Sequence, residues 1–124
     1  GIVHSMAHGL SALYDTPHGV ACAIILPTGL EYNKTAAGDR YRAIGQAMGV
    51  AGIDAMSEAE AIDATIAAVK QLSADVGIPA GLQGILKEED VAFLSASAYA
   101  DACRPGNPRD TNEAEIAALY RSLM

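Results

Sequence analysis

The chain has 124 residues, 51% of them hydrophobic and 19% charged, enough for one compact core and not comfortably for two. Its net charge of −7 disfavours nucleic acid or an anionic membrane as partner, because either calls for basic patches. Aromatic residues make up only 5%, with no Trp, so Ala, Leu, Ile, Val and Met must do the packing. The longest apolar run, Val20 to Pro27, is far too short to span a bilayer. Cys22 and Cys103 lie far apart and form no metal-type pair; they fit a reducing cytoplasm better than a disulfide framework. The chain opens at Gly1, with no Met, straight into an apolar, histidine-bearing stretch, and is expected to be a truncated or proteolysed product.

Taken in chain order, nearly every stretch reads as helix, and no run alternates apolar and polar residues as a strand would. Residues 1–13 form a first helix, and Tyr14-Asp15-Thr16-Pro17 supplies a turn. From His18 to about Asn33 the chain is apolar almost all round, which predicts a helix buried at the centre of a bundle, with Pro27 as a candidate kink. A third helix is expected from about Ala36 to Met48, stopped by Gly49. Ser57 with Glu60 makes a capping box that opens a long helix through Val76, which Gly77-Ile78-Pro79 closes. Residues 80–86 read as loop, and Glu88 to Ala102 as helix, broken by Arg104 to Pro108. Thr111 or Asn112 caps the last helix, which runs to Leu123. The expected fold is a single all-α helical bundle over residues 1–124.

All three histidines, His4, His8 and His18, fall within the first eighteen residues. His4 and His8 are spaced i, i+4 and share a helix face. On one continuous helix His18 would sit about 21 Å from His4. Histidines sharing a metal each need a nitrogen about 2.0–2.1 Å from the ion. His4 and His18 therefore share one only if the chain turns back between them, at Tyr14 to Pro17. Spacing alone leaves surface or hydrogen-bonded core histidines as an open alternative. Asp15, three residues before His18, has a chelating spacing, but its place in a turn favours a solvated or hydrogen-bonded role.

The segment from Gly1 to His8 (GIVHSMAH), a nine-residue spacer, then His18-Gly19, resembles the histidine signature of the iron-containing alcohol dehydrogenases, G-x-x-H-x-x-A-H followed by H-G. The likeness continues through Val20–Pro27, Glu31-Tyr32-Asn33, Tyr41–Gly45 and Pro105–Arg109. It implies the C-terminal helical, metal-binding domain of a dehydroquinate synthase-like two-domain enzyme. By that resemblance His4 and His18 match two metal ligands. His8 matches the histidine beside substrate and nicotinamide, a candidate proton relay, and Cys103 lies where relatives approach the substrate, with a small buried residue at a helix end as the open alternative. Gly19 is expected to let backbone approach closely. Cys22, Met6 and Tyr14 are expected to pack the core.

Two further ligands of the family, an Asp and a His spaced D-x-x-x-H, have no counterpart here, since no histidine follows His18. Nor is there a strand followed by a glycine-rich pyrophosphate loop; Gly45 and Gly49 read better as packing or capping positions. The resemblance implies reversible hydride transfer between a small alcohol and its aldehyde, with Fe²⁺ or else Zn²⁺, and NAD or NADP, in a cytoplasmic homodimer. The chain alone is expected to be inactive and to bind metal weakly. Two other readings stay open: a non-enzymatic helical assembly module, and a small self-contained zinc protein using His4, His8 and His18 together.

Overall fold

A computed structural model describes residues 1–124 and contains helices and turns but no strand. Six α-helices run in the order α1 (Ile2–Tyr14), α2 (His18–Ala37), α3 (Tyr41–Ala47), α4 (Glu58–Asp75), α5 (Val91–Ala100) and α6 (Glu113–Ser122). Short 3₁₀ turns at Gly38–Arg40, Ile53–Ala55, Glu88–Asp90 and Arg104–Gly106 join them. The main core lies where α1, α2, α5 and α6 meet, filled by Ile2, Met6, Leu10, Ile25, Leu94, Ile116 and Tyr120. Helices α3 and α4 pair with each other and reach that body through α2.

Local chemistry explains where the helices start and stop. Ser57 Oγ accepts from the Glu60 amide at 3.2 Å while the Glu60 carboxylate faces the Ser57 amide, so both halves of the capping box are present. Asn112, rather than Thr111, caps α6: its Oδ1 accepts from the Glu115 amide at 2.9 Å. Gly49 and Gly77 take φ of +78° and +80°, and the following amides, Val50 and Ile78, bond back to Gly45 and Ser73. Both are left-handed caps that a side chain would resist.

Four expectations change. Helix α2 runs four residues beyond Asn33, and what reads as one helix from Ala36 to Met48 is split. Ala37 leaves helical geometry at φ −129°, and Gly38 follows in a 3₁₀ turn, where a Cβ would lie 2.7 Å from Ile62 Cδ1. The missing side chain lets the chain swing onto α4. The helix expected from Glu88 to Ala102 opens as a 3₁₀ turn and ends at Ala100, because Asp101 is extended and turns its carboxylate onto the Cys103 amide. Helix α2 is also not buried all round. It passes through Pro27 and hides one flank (Ala21, Ile24, Ile25, Gly29, Tyr32), while Leu26 is 38% exposed.

Candidate metal and substrate site

The histidines converge because α1 ends and the chain reverses within three residues. Asp15 takes a left-handed conformation at φ 56° as the C-cap of α1, and Pro17 precedes α2. His18 therefore opens α2 beside α1. The ring centroids of His4 and His18 are 5.4 Å apart, those of His8 and His18 5.5 Å, and those of His4 and His8 6.0 Å. All three rings are exposed. Asp15 serves the turn, as expected, and is not among the groups close enough to share an ion.

Two sets of donors sit side by side. In one, His4, His18 and Cys22 bring ligand atoms within 4.8 Å of one another; in the other, His8, Asp101 and Cys103 do the same. Cys22 lies one turn beyond His18 on α2. Its Sγ is 3.6 Å from His18 Nε2, although the residue also packs against the main core. Burial pushes its thiol pKa up. The sequence reading of Cys22 as packing is thus half of its environment.

Asp101 was not singled out by the sequence, and nothing in its local pattern marks it. Its Oδ2 lies 2.8 Å from His8 Nδ1, and its Oδ1 accepts from the Cys103 amide at 2.8 Å. Burial alone would raise its pKa, but the Cys103 amide and the His8 ring outweigh that and hold the carboxyl below its ordinary range. An ionised carboxylate only accepts, so Nδ1 of His8 is the donor to it, and in the neutral ring that leaves the lone pair on Nε2. The segment carrying Cys103 is anchored through Asn107. That side chain accepts from the Ile2 amide at 3.1 Å and exchanges hydrogen bonds with Asn33 at 3.0 and 2.8 Å. Nearby, the Arg109 guanidinium lies 4.0 Å from the Tyr32 ring centre and donates to the Tyr32 carbonyl at 3.0 Å. The Asn33 and Pro105–Arg109 motifs therefore fasten the Asp101–Cys103 corner onto α1 and α2.

The other expectations divide. Met6 is fully buried, and Tyr14 donates to Asp90 at 2.6 Å while accepting from the Lys87 amide; neither is among the cavity-lining residues. The close approach expected at Gly19 is not found, since a Cβ there would meet nothing within 4 Å. The larger of two surface grooves, about 350 Å³, lies between α2, α4 and the C-terminus, lined by Ile24, Pro27, Lys70, Ile78 and Leu123 among others. It contains none of the histidines. Donor chemistry, not concavity, marks the site.

The sequence profile of the Fe-containing alcohol dehydrogenase family, C-terminal part, matches residues 1–124. Lactaldehyde reductase of Escherichia coli K12 is 45% identical over 123 residues, covering 98% of this chain and 32% of the relative. A 1,3-propanediol dehydrogenase of Klebsiella pneumoniae is 43% identical, over 98% of this chain and 31% of its own length. Among solved structures, a 1,3-propanediol oxidoreductase superposes with a TM-score of 0.95 at 42% identity, over the whole of this chain and 32% of its own. An alcohol dehydrogenase from Oenococcus oeni gives 0.94 at 38% identity, with the same coverage. The chain thus spans about a third of the length of these relatives.

Proposed function

Because this chain belongs to the Fe-containing alcohol dehydrogenase family, matching its C-terminal part throughout, we propose that it is the metal- and substrate-binding domain of an enzyme that interconverts a small alcohol and its aldehyde. The observation that carries this reading is the convergence of three histidines on one face, with one of them, His8, held by a carboxylate. In it, His4 and His18 hold a divalent ion, Fe²⁺ or Zn²⁺. Their donor chemistry fits, since neutral imidazole suits both metals and the two rings already neighbour each other. The two further ligands, a D-x-x-x-H pair, and the nucleotide-binding domain are proposed to come from sequence outside this chain. When bound, the metal supplies Lewis acidity at the substrate oxygen and NAD or NADP supplies the hydride chemistry.

This chain's own residues then handle the proton. With Nδ1 donating to Asp101, the Nε2 lone pair of His8 takes the hydroxyl proton during alcohol oxidation, and the same nitrogen returns it during aldehyde reduction. Asp101 keeps the ring in that tautomer and stabilises its protonated form. Cys103, beside both, borders the substrate in this proposal, and its half-buried thiol limits the room available there. A cytoplasmic homodimer remains part of the proposal.

The test is made in the intact protein. His4→Ala and His18→Ala should lower metal content and turnover together. His8→Ala should lower turnover by about 10²–10⁴-fold, the usual worth of a general acid–base group, with metal largely retained. Equal metal loss in all three variants would replace this division of labour with the three-histidine zinc site.

A further inference from the structure

Helix α1 carries two of the three histidines yet supplies no cap for its own start. Its N-cap position is Gly1, which has no side chain to offer, and the first amides of a helix lack partners within it. The loop after α5 meets that need from far along the chain. The Gly1 nitrogen donates to the Cys103 carbonyl at 2.5 Å, and the Ile2 amide donates to Asn107 Oδ1 at 3.1 Å. Asn107 makes every hydrogen bond its side-chain amide allows. Oδ1 accepts from Ile2 and from Asn33 Nδ2, while Nδ2 donates to Asn33 Oδ1 and to the Arg109 carbonyl, both at 2.8 Å.

The same loop is tied together between Asn107 and Asp101. The Asn107 amide donates to the Arg104 carbonyl at 2.9 Å, and the Arg104 amide to the Asp101 carbonyl at 3.1 Å. The Arg104 guanidinium lies 4.2 Å from the Tyr99 ring centre and donates to the Tyr99 carbonyl. The loop therefore grips α1 at two points, Asn107 on the Ile2 amide and Asp101 on the His8 ring. Those points stand about 9 Å apart along the helix axis. We propose that Asn107 is a positioning residue for proton transfer: it fixes where the Asp101 carboxylate meets His8 Nδ1, and so where His8 Nε2 faces the reacting hydroxyl. The inference rests on the reading of His8 as the proton relay and extends the support of that ring beyond Asp101. Without the Asn107 amide the loop can slide along α1, and a shift of about 1 Å near a reacting group can cost about 10²-fold in rate.

The experiment is a double-mutant cycle on kcat in the intact, metal-loaded protein, combining Asn107→Ala with Asp101→Asn. Asp101→Asn keeps Oδ1 for the Cys103 amide and removes the carboxylate that faces His8. Asn107→Ala alone should lower kcat by about 10–10²-fold, with KM and metal content close to those of the wild type. In the Asp101→Asn background the same change should cost little more, since the contact it positions is already gone. An equal loss in both backgrounds would overturn the proposal, because Asn107 would then act on the fold at large. A fall in kcat that simply follows a fall in bound metal would overturn it too. Should Asn107→Ala lose its helical circular dichroism, Asn33→Ala, which leaves the Ile2 cap in place, takes over in the cycle. It should show the same non-additivity at smaller size, and an additive loss there counts against the proposal in the same way. His8→Ala separates the two readings. Unchanged kcat in that variant would sink the proton relay itself, whereas a loss there beside a silent Asn107→Ala would sink only the positioning role.

Discussion

Asp101 shows how much of a site can hide in one residue. A single Asp after a helix has no spacing signature; its role emerges only when α5 ends at Ala100 and the extended backbone turns the carboxylate between the Cys103 amide and His8. Its lowered pKa has a defined consequence. A carboxyl whose folded value lies below its unfolded value binds fewer protons in the folded state over that interval. It therefore contributes stability above the ordinary value of about 3.9, and the contribution is lost as pH falls through the lower folded value. The stability gap between wild type and Asp101→Asn, read from urea midpoints, should be present at about pH 5 and shrink progressively below about pH 4. A gap that widens on acidification would contradict the carboxylate pairing. Tyr120 offers a second check. Its ring is fully buried, and its hydroxyl, pushed up in pKa by burial, donates to the Met6 carbonyl at 2.7 Å. Tyr120→Phe should cost about 1 kcal/mol in chemical denaturation, the worth of one hydrogen bond.

Helix boundaries were legible wherever a side chain or a glycine closes the hydrogen-bond ladder. Ser57 with Glu60, Gly49 and Gly77 all act as their positions suggest. What escaped were features set by partners distant in sequence. The break at Ala37 and Gly38 answers to Ile62 on α4, and the exposed flank of α2 reflects which neighbours it has, which an all-round apolar pattern cannot reveal. Gly45 shows the same dependence in a position read correctly as packing. A Cβ there would press into Ile53 and lie 2.5 Å from Thr65 Oγ1, so α3 and α4 touch only because it is absent. Gly45→Ala should lower stability by about 1–3 kcal/mol, the cost of overpacking, despite the better helix propensity of alanine. A thermal midpoint at or above that of the wild type would mean the α3–α4 contact is loose. The histidine turn was equally readable, because 21 Å of straight helix and a shared metal ion are incompatible. The sulfur beside it was not, since an i, i+4 His–Cys pair on an apolar helix looks the same whether it faces the core or the surface.

The histidine face, seen across the molecule, is open. All three imidazoles are exposed and the larger groove lies elsewhere, between α2, α4 and the C-terminus. Hydride transfer needs a nicotinamide held within reach of the substrate, and dinucleotides are ordinarily held by a glycine-rich turn between a strand and a helix N-terminus. This chain is helical throughout, with no strand to carry such a turn. Its negative charge of −7 also repels a pyrophosphate instead of drawing it in. About two-thirds of the relatives' length lies outside the part this chain matches, and we propose that the dinucleotide site lies in that remainder. The 124-residue chain alone should therefore neither bind NADH nor produce it from an alcohol, even with Co²⁺ or Zn²⁺ supplied. A titration following NADH fluorescence should remain flat up to millimolar protein, while the intact protein gives a saturable change. Saturable binding by the chain alone would mean that these helices hold a dinucleotide by themselves, and the division between a nucleotide domain and this metal-binding domain would have to be abandoned.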